Sequence, residues 1–312
     1  MNNMNRTVQC LTSLALVGAL SGCEDDFDPG SRVTGFRVLA VQADHAYARP
    51  GESVHLSALS YEPAGRPVTW GWAACVNPSS SSVEGCLEKI AEDANGGATP
   101  VLAFGVGVDS VDYVVPADAL SSLAPDARSQ AMTGVLSVAC PGDLTMVNGG
   151  SMPFRCTESG SGRELGLDEY VIGLKRIFQR EADRNQNPVI ARVTFDGAEW
   201  PEGEVKEVDG CDTDDNVFDD CSKSLRHDLA VVATQESFES GADEFGRDFE
   251  EQLVAQYYST EGIFEFEARI AEEPETGWVA RNYASGQEVR MWFVLRDDRG
   301  GVTWAERRVR VR

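Results

Sequence analysis

The chain has 312 residues, 42% apolar, 25% charged and 8% aromatic, with a formal net charge of −24. That length suggests two domains, each large enough to bury its own core, and six Trp argue against a disordered chain. The acidic balance excludes nucleic acid and anionic lipid headgroups as expected partners, because phosphate recognition needs clustered Lys and Arg.

Met1 to Arg6 is polar with one positive charge, Val8 to Leu20 is apolar, and small residues follow at Ser21 and Gly22. That order predicts a cleaved signal peptide over residues 1–22; the apolar run is shorter than the roughly 20 residues of a membrane-spanning helix. Leu20-Ser21-Gly22-Cys23 resembles the lipobox of bacterial lipoproteins. The resemblance implies that Cys23 is acylated and heads the mature chain, which is then anchored through lipid in the cell envelope, the outer membrane being favoured over the inner. Residues 23–31 read as a short acidic, solvated tether.

Setting aside Cys10 and Cys23 leaves six Cys, an even number that suits an exported, disulfide-bonded chain. Spacing pairs them as Cys75–Cys86, Cys140–Cys156 and Cys211–Cys221. Each bridge closes a loop of roughly 10 to 16 residues and contributes about 3 kcal/mol in the chain-entropy picture. Thiolate metal sites are the alternative, but no CxxC pair occurs, and His45, His55 and His227 stand apart from the Cys.

Short runs rich in β-branched and aromatic residues begin with Val33–Gln42, Ser53–Ser60 and Pro67–Ala73, punctuated by Pro-Gly turns. Trp70 and Trp72 alternate around Gly71, so both point to one face, which is expected to be core. Ser82 caps a predicted helix to Glu92. Strands follow at Thr99–Val108, Val111–Val115 and Met132–Cys140, then a Gly- and Ser-rich loop, Asn148–Gly162, and a closing strand, Tyr170–Gln179. The polar run Glu181–Pro188 reads as a linker, giving a first domain over 32–181 and a second over 188–312.

The second domain opens with Val189–Phe195 and passes through an acidic stretch, Glu199–Asp220. Strands resume at Asp228–Thr234, Glu251–Ser259 and Gly262–Glu267. It ends in a hairpin, Glu288–Arg296 and Val302–Val311, where Val309 and Val311 alternate with Arg308, Arg310 and Arg312. A one-sided sheet requires that pattern, which makes the Arg row a solvated face.

The opening RVLAVQAD…PGESVHLSAL…WGWAAC and the closing EEQLVAQYYSTEG…VRMWFVLRDDRGGVTWAERRVRV are similar to surface lipoproteins of myxobacteria and their relatives. The resemblance implies an exported, immunoglobulin-like double sandwich and no particular activity. The expected fold is therefore all-β, with two immunoglobulin-like antiparallel β-sandwich domains.

No HExxH, GxSxG, Walker or GxGxxG pattern occurs, and catalysis is not expected. The leading expectation is an envelope lipoprotein with a structural or interaction role, binding a protein or glycan of the envelope. The alternative is a calcium-stabilised carbohydrate-binding or adhesion module, with Trp200 and Trp278 as platform candidates; a hydrolase comes third. Asp212, Asp214, Asn216 and Asp220 fall at positions 1, 3, 5 and 9 of a pattern resembling an EF-hand calcium loop. Val217 replaces its turn Gly and Lys223 its bidentate Glu, so a solvated acidic loop is the competing reading.

Overall fold

The structure, a computed structural model, describes residues 29–96, 100–121, 123–147, 153–212 and 217–312. In chain order the first half forms β1 (Arg37–Ala43), β2 (Tyr47–Ala48), β3 (Ser53–Tyr61), β4 (Thr69–Val76), α1 (Val83–Asn95), β5 (Val101–Val106), β6 (Ser110–Val114), β7 (Met132–Cys140), β8 (Asp143–Met146), β9 (Phe154–Thr157) and β10 (Val171–Gln179). One sheet runs β1-β3-β6 and another β2-β10-β7-β4-β5, with β8 and β9 as a separate hairpin. Alternation decides which faces meet. Trp70 and Trp72 stack with ring centroids 5.7 Å apart, and they share one buried cluster with Leu56 of β3, Tyr113 of β6 and Ile177 of β10. Residues of both sheets thus make one core.

The second half forms β11 (Ile190–Phe195), β12 (Ala198–Glu199), β13 (Val205–Val208), β14 (His227–Ala233), β15 (Ser240–Ala242), β16 (Asp248–Glu250), β17 (Leu253–Ser259), β18 (Ile263–Phe264), β19 (Ala268–Ile270), β20 (Thr276–Val279), β21 (Glu288–Asp297) and β22 (Val302–Val311). Its two larger sheets run β12-β11-β14-β20-β18 and β13-β22-β21-β17-β19. Leu229, Val231 and Trp278 from the first meet Tyr257, Phe293, Val309 and Val311 from the second. Val309 and Val311 are buried while Arg308, Arg310 and Arg312 are exposed, as the alternation requires. Among the described residues the fold is β-rich, and the helix expected after Ser82 forms as α1.

The halves also pack on each other. Val33 and Leu39 cluster with Trp292, and Ala40 with Val294 and Val302. Gln42 Nε2 donates to the Val302 carbonyl at 2.6 Å, and Arg296 Nη2 to that of Leu39 at 2.7 Å. The run 181–188, expected as a free linker, is held on both sides. The Glu244 carboxylate accepts the N–H groups of Glu181, Ala182 and Asp183. Asn187 donates to the Ala43 carbonyl at 2.7 Å and accepts from Val302 N at 2.9 Å.

Of the predicted tether, residues 23–28 lie outside the described residues, and Ser31 is not solvated. It is 2% exposed and donates through both N and Oγ to Glu267, while Val33 N donates to the Ser259 carbonyl. Chain that precedes the first half therefore docks on the second. The loop expected over 148–162 contains β9, which pairs antiparallel with β8.

Candidate functional site

The outer face of the sheet β2-β10-β7-β4-β5, opposite the tryptophans, carries small and aliphatic side chains. Gly71 and Ala73 of β4 sit beside Val138 and Leu136 of β7. Two pieces of chain cross this face, one at each end. Ser82 Oγ accepts the Gly85 N–H at 3.1 Å and starts α1. Cys75–Cys86 then pins the helix over one end of β4, where Ile90 and Cys86 join the buried cluster. Cys140–Cys156 pins the β8–β9 hairpin over the other end, burying Leu144 and Phe154.

Between helix and hairpin lies an apolar groove of about 210 Å³, floored by Gly71, Ala73, Leu136 and Val138. Ile90, Ala91 and Ala94 form one wall, and Leu144, Met146 and Phe154 the other. Gly71 widens the floor, since a Cβ there would lie 3.1 Å from Leu144 Cδ2 and 3.5 Å from Phe104. The groove opens at β5, where Phe104 pairs with Gly71 and Val101 with Ala73. Its mouth is apolar and wet: Val101, Phe104 and Met146 are 38%, 45% and 56% exposed.

Outside this apolar lining the helix exposes carboxylates. Glu84, Glu88 and Glu92 are exposed, and no basic residue stands in the last turn to offset the negative helix end. Lys89, the one cation of α1, is engaged by Asp93 at 2.7 Å, a bond that holds its ammonium above the ordinary range.

A second set of polar groups joins the halves. Arg299 Nη1 lies 3.0 Å from Glu251 and 3.4 Å from Glu239, and its guanidinium covers the rings of Phe249 and Tyr47. Burial, then Asp297 and Glu239, push Glu251 up to about 7. Lys175, whose ammonium donates to the Gly300 carbonyl, is pushed down to about 8 by burial and then by Arg296. Arg299 engages Glu251 and Glu239, and Lys175 engages the Gly300 carbonyl, so these groups read as structural.

The sequence-predicted residues are distributed as follows. Cys23 lies outside the described residues. The bridges Cys75–Cys86, Cys140–Cys156 and Cys211–Cys221 are formed, with Cα separations of 5.4, 5.7 and 5.7 Å. Asp214 and Asn216 lie outside the described residues, Asp212 and Asp220 are exposed, and neighbouring Asp219 is engaged by Arg226 at 3.0 Å. Among the described residues no group of three or more His, Cys, Asp or Glu is arranged to hold a metal.

Trp200 and Trp278 are core, each 0% exposed, so neither offers a sugar platform. Trp200 packs edge-on against Phe195 and Phe293, contacts a two-residue flanking strand could not announce. Each His meets an aspartate: His45 with Asp44 at 2.9 Å, His55 with Asp112 at 2.7 Å, and His227 with Asp196 at 2.9 Å. Of the terminal Arg row, Arg308 and Arg310 face Glu288, and Arg312 faces Asp209 at 3.2 Å.

No helix among the described residues is long and apolar enough to cross a membrane. No protein-family model matches the sequence, and no curated protein matches it. Among solved structures, a nucleoside hydrolase-related hypothetical protein from Saccharophagus degradans, associated with carbohydrate metabolism, is similar at 10% identity over 44% of this chain and 28% of its own, with a TM-score of 0.26. Dimeric latent PorU from Porphyromonas gingivalis is similar at 10% identity over 89% of this chain and 24% of its own, with a TM-score of 0.22. The chain thus spans about a quarter of the length of these two structures, and likenesses of this size assign it to no family.

Proposed function

We propose that the chain is a lipoprotein of the cell envelope, anchored through Cys23, whose two immunoglobulin-like domains over 32–181 and 188–312 serve interaction rather than catalysis. The observation that carries this reading is the polar-then-apolar run ending in Leu20-Ser21-Gly22-Cys23 on a chain with three formed disulfides. Bridges of this kind persist in oxidising compartments and are rare in a reducing cytosol. Supporting it, two of the bridges pin a helix and a hairpin around an apolar groove, a concave surface of the kind on which recognition is built.

The test is to express the full chain in a host that processes lipoproteins and determine the mass of its N-terminal peptide. The expected result is an acylated Cys23, partition into the detergent phase, and loss of both in Cys23→Ala. An unmodified Cys23 in the mature protein overturns the anchor. Free thiols at the six remaining Cys in protein taken from the envelope overturn the export reading.

A further inference from the structure

Among the described residues the outer edge of β5 is unpaired and unguarded in a way the other edges are not. At six residues, VLAFGV, it is the longest edge strand without a charged side chain among the described sheets. Exposed sheet edges are ordinarily blunted by charge, Pro or shortness, because their unpaired N–H and C=O groups can template another strand. The other edges follow that rule: β2, β12 and β18 have two residues each, and β13, β19, β6 and β1 carry charges.

The ladder shows which groups are open. Gly107 N donates to the Val68 carbonyl, so by antiparallel alternation Gly105 and Ala103 bond to Trp70 and Trp72. Phe104 and Val106 then turn their N–H and C=O toward the open side, and their side chains are 45% and 65% exposed. Beside Phe104 the groove between α1 and the hairpin opens onto this edge.

We infer that β5 takes an additional strand from a partner protein: an extended segment with one apolar anchor side chain seated in the groove and Lys or Arg beside it. Open backbone groups call for a strand, and the apolar mouth calls for an apolar anchor. Charge selects the partner. The chain carries a net −24, and α1, whose last turns wall the groove, exposes Glu84, Glu88 and Glu92 and has no basic residue in its last turn, which favours a basic segment. A second copy brings its own −24 to the contact, and an anionic acyl chain likewise adds negative charge to an acidic chain. The inference rests on the interaction role proposed above but not on the lipid anchor, so an unmodified Cys23 leaves it standing.

The test uses the oxidised full chain and a fluorescein-labelled, end-blocked peptide, Lys-Val-Lys-Phe-Lys-Val-Lys, followed by anisotropy. Saturable binding is expected. It should weaken with salt, be at least tenfold weaker for the version with Glu in place of Lys, and be lost when the peptide is N-methylated along one edge but not the other. Phe104→Lys and Ala94→Lys, both at exposed positions and checked by circular dichroism, should each weaken binding about tenfold or more. Equal binding of both N-methylated forms, or of the Glu peptide, overturns the inference. So does a dimer in size-exclusion chromatography that Phe104→Lys dissolves, which gives the edge to a second copy. Binding of cis-parinaric acid that Ala94→Lys removes, without peptide binding, gives the groove to an acyl chain and also overturns it.

Discussion

Gly134 lies directly across the ladder from Cys75, and a Cβ on it would come 2.6 Å from Cys75 Sγ and 3.2 Å from Cys86 Sγ. The same Cβ would lie 2.9 Å from Leu174 Cδ1, so it would be crowded by the bridge and by β10 together. A missing side chain on β7 is therefore what lets the bridge cross the sheet face and hold α1. Gly134→Ala should destabilise the protein by roughly 1–3 kcal/mol through overpacking. It should also raise the fraction of Cys75 and Cys86 that reacts with a thiol reagent. Unchanged thermal stability and fully oxidised Cys in the variant would contradict this.

The helix start is a smaller, local test. Ser82 Oγ is the side-chain cap of α1. Ser82→Ala should cost about 1 kcal/mol and speed amide hydrogen exchange at Gly85 and Cys86, leaving the second half unchanged. Uniform faster exchange across the chain would mean that the helix is not a local unit.

Much of the fold was legible where the signal is local. The cap at Ser82, the apolar run Met132–Cys140, the alternation of the final hairpin and the three Cys spacings each depend on residues near in sequence. The hairpin β8–β9 was not legible, because its strands have four residues each and expose Asp143, Thr145 and Arg155 on the outer side. Contact between the halves was hidden for another reason. Leu39 and Ala40 are both buried although adjacent, because the register with β3 shifts between Val38 and Ala40. Of the groove, only two hints stood in the sequence: Gly71 and Ala73 opposite the tryptophans, and the uncharged run 101–106. Neither says that a helix and a hairpin cross the same face from opposite ends.

Trp292 tests how firmly the halves hold together. It is 1% exposed, clusters with Val33 and Leu39, and meets the ring of Tyr61 at 4.9 Å. Trp292→Ala should cost about 3–5 kcal/mol in denaturant unfolding. Proteolysis within residues 181–187 should leave two fragments that still co-elute in size-exclusion chromatography, and Trp292→Ala should release them. Fragments that separate without the substitution would show that the apolar contact adds too little to hold them.

The pH dependence of stability should carry the mark of the junction between the halves. Glu251 is 3% exposed and faces Arg299, Glu239 and Asp297. Its folded pKa of about 7 stands above the ordinary 4.5. Between those values the folded chain holds a proton that the unfolded chain has released. Stability from this group is therefore fully present below pH 4.5 and is lost as pH rises toward 7, at no more than about 1.4 kcal/mol per pH unit. Lys175 acts in the other direction. Its folded pKa of about 8 lies below the ordinary 10.5, so between these values the unfolded chain holds the extra proton and stability climbs with pH. The two groups together predict a minimum between pH 7 and 8, flanked by a fall below it and a rise above. Under strongly acidic conditions Glu169, held down to about 2 by its bond to Arg163, adds loss of stability in the opposite sense. Glu251→Gln keeps an acceptor for Arg299 but cannot titrate, so it should flatten the limb from pH 4.5 to 7 and leave the upper limb intact. Lys175→Met should do the reverse. Chemical denaturation at half-unit pH intervals measures both slopes, and a Gln variant that keeps the wild-type lower limb would remove Glu251 as its source.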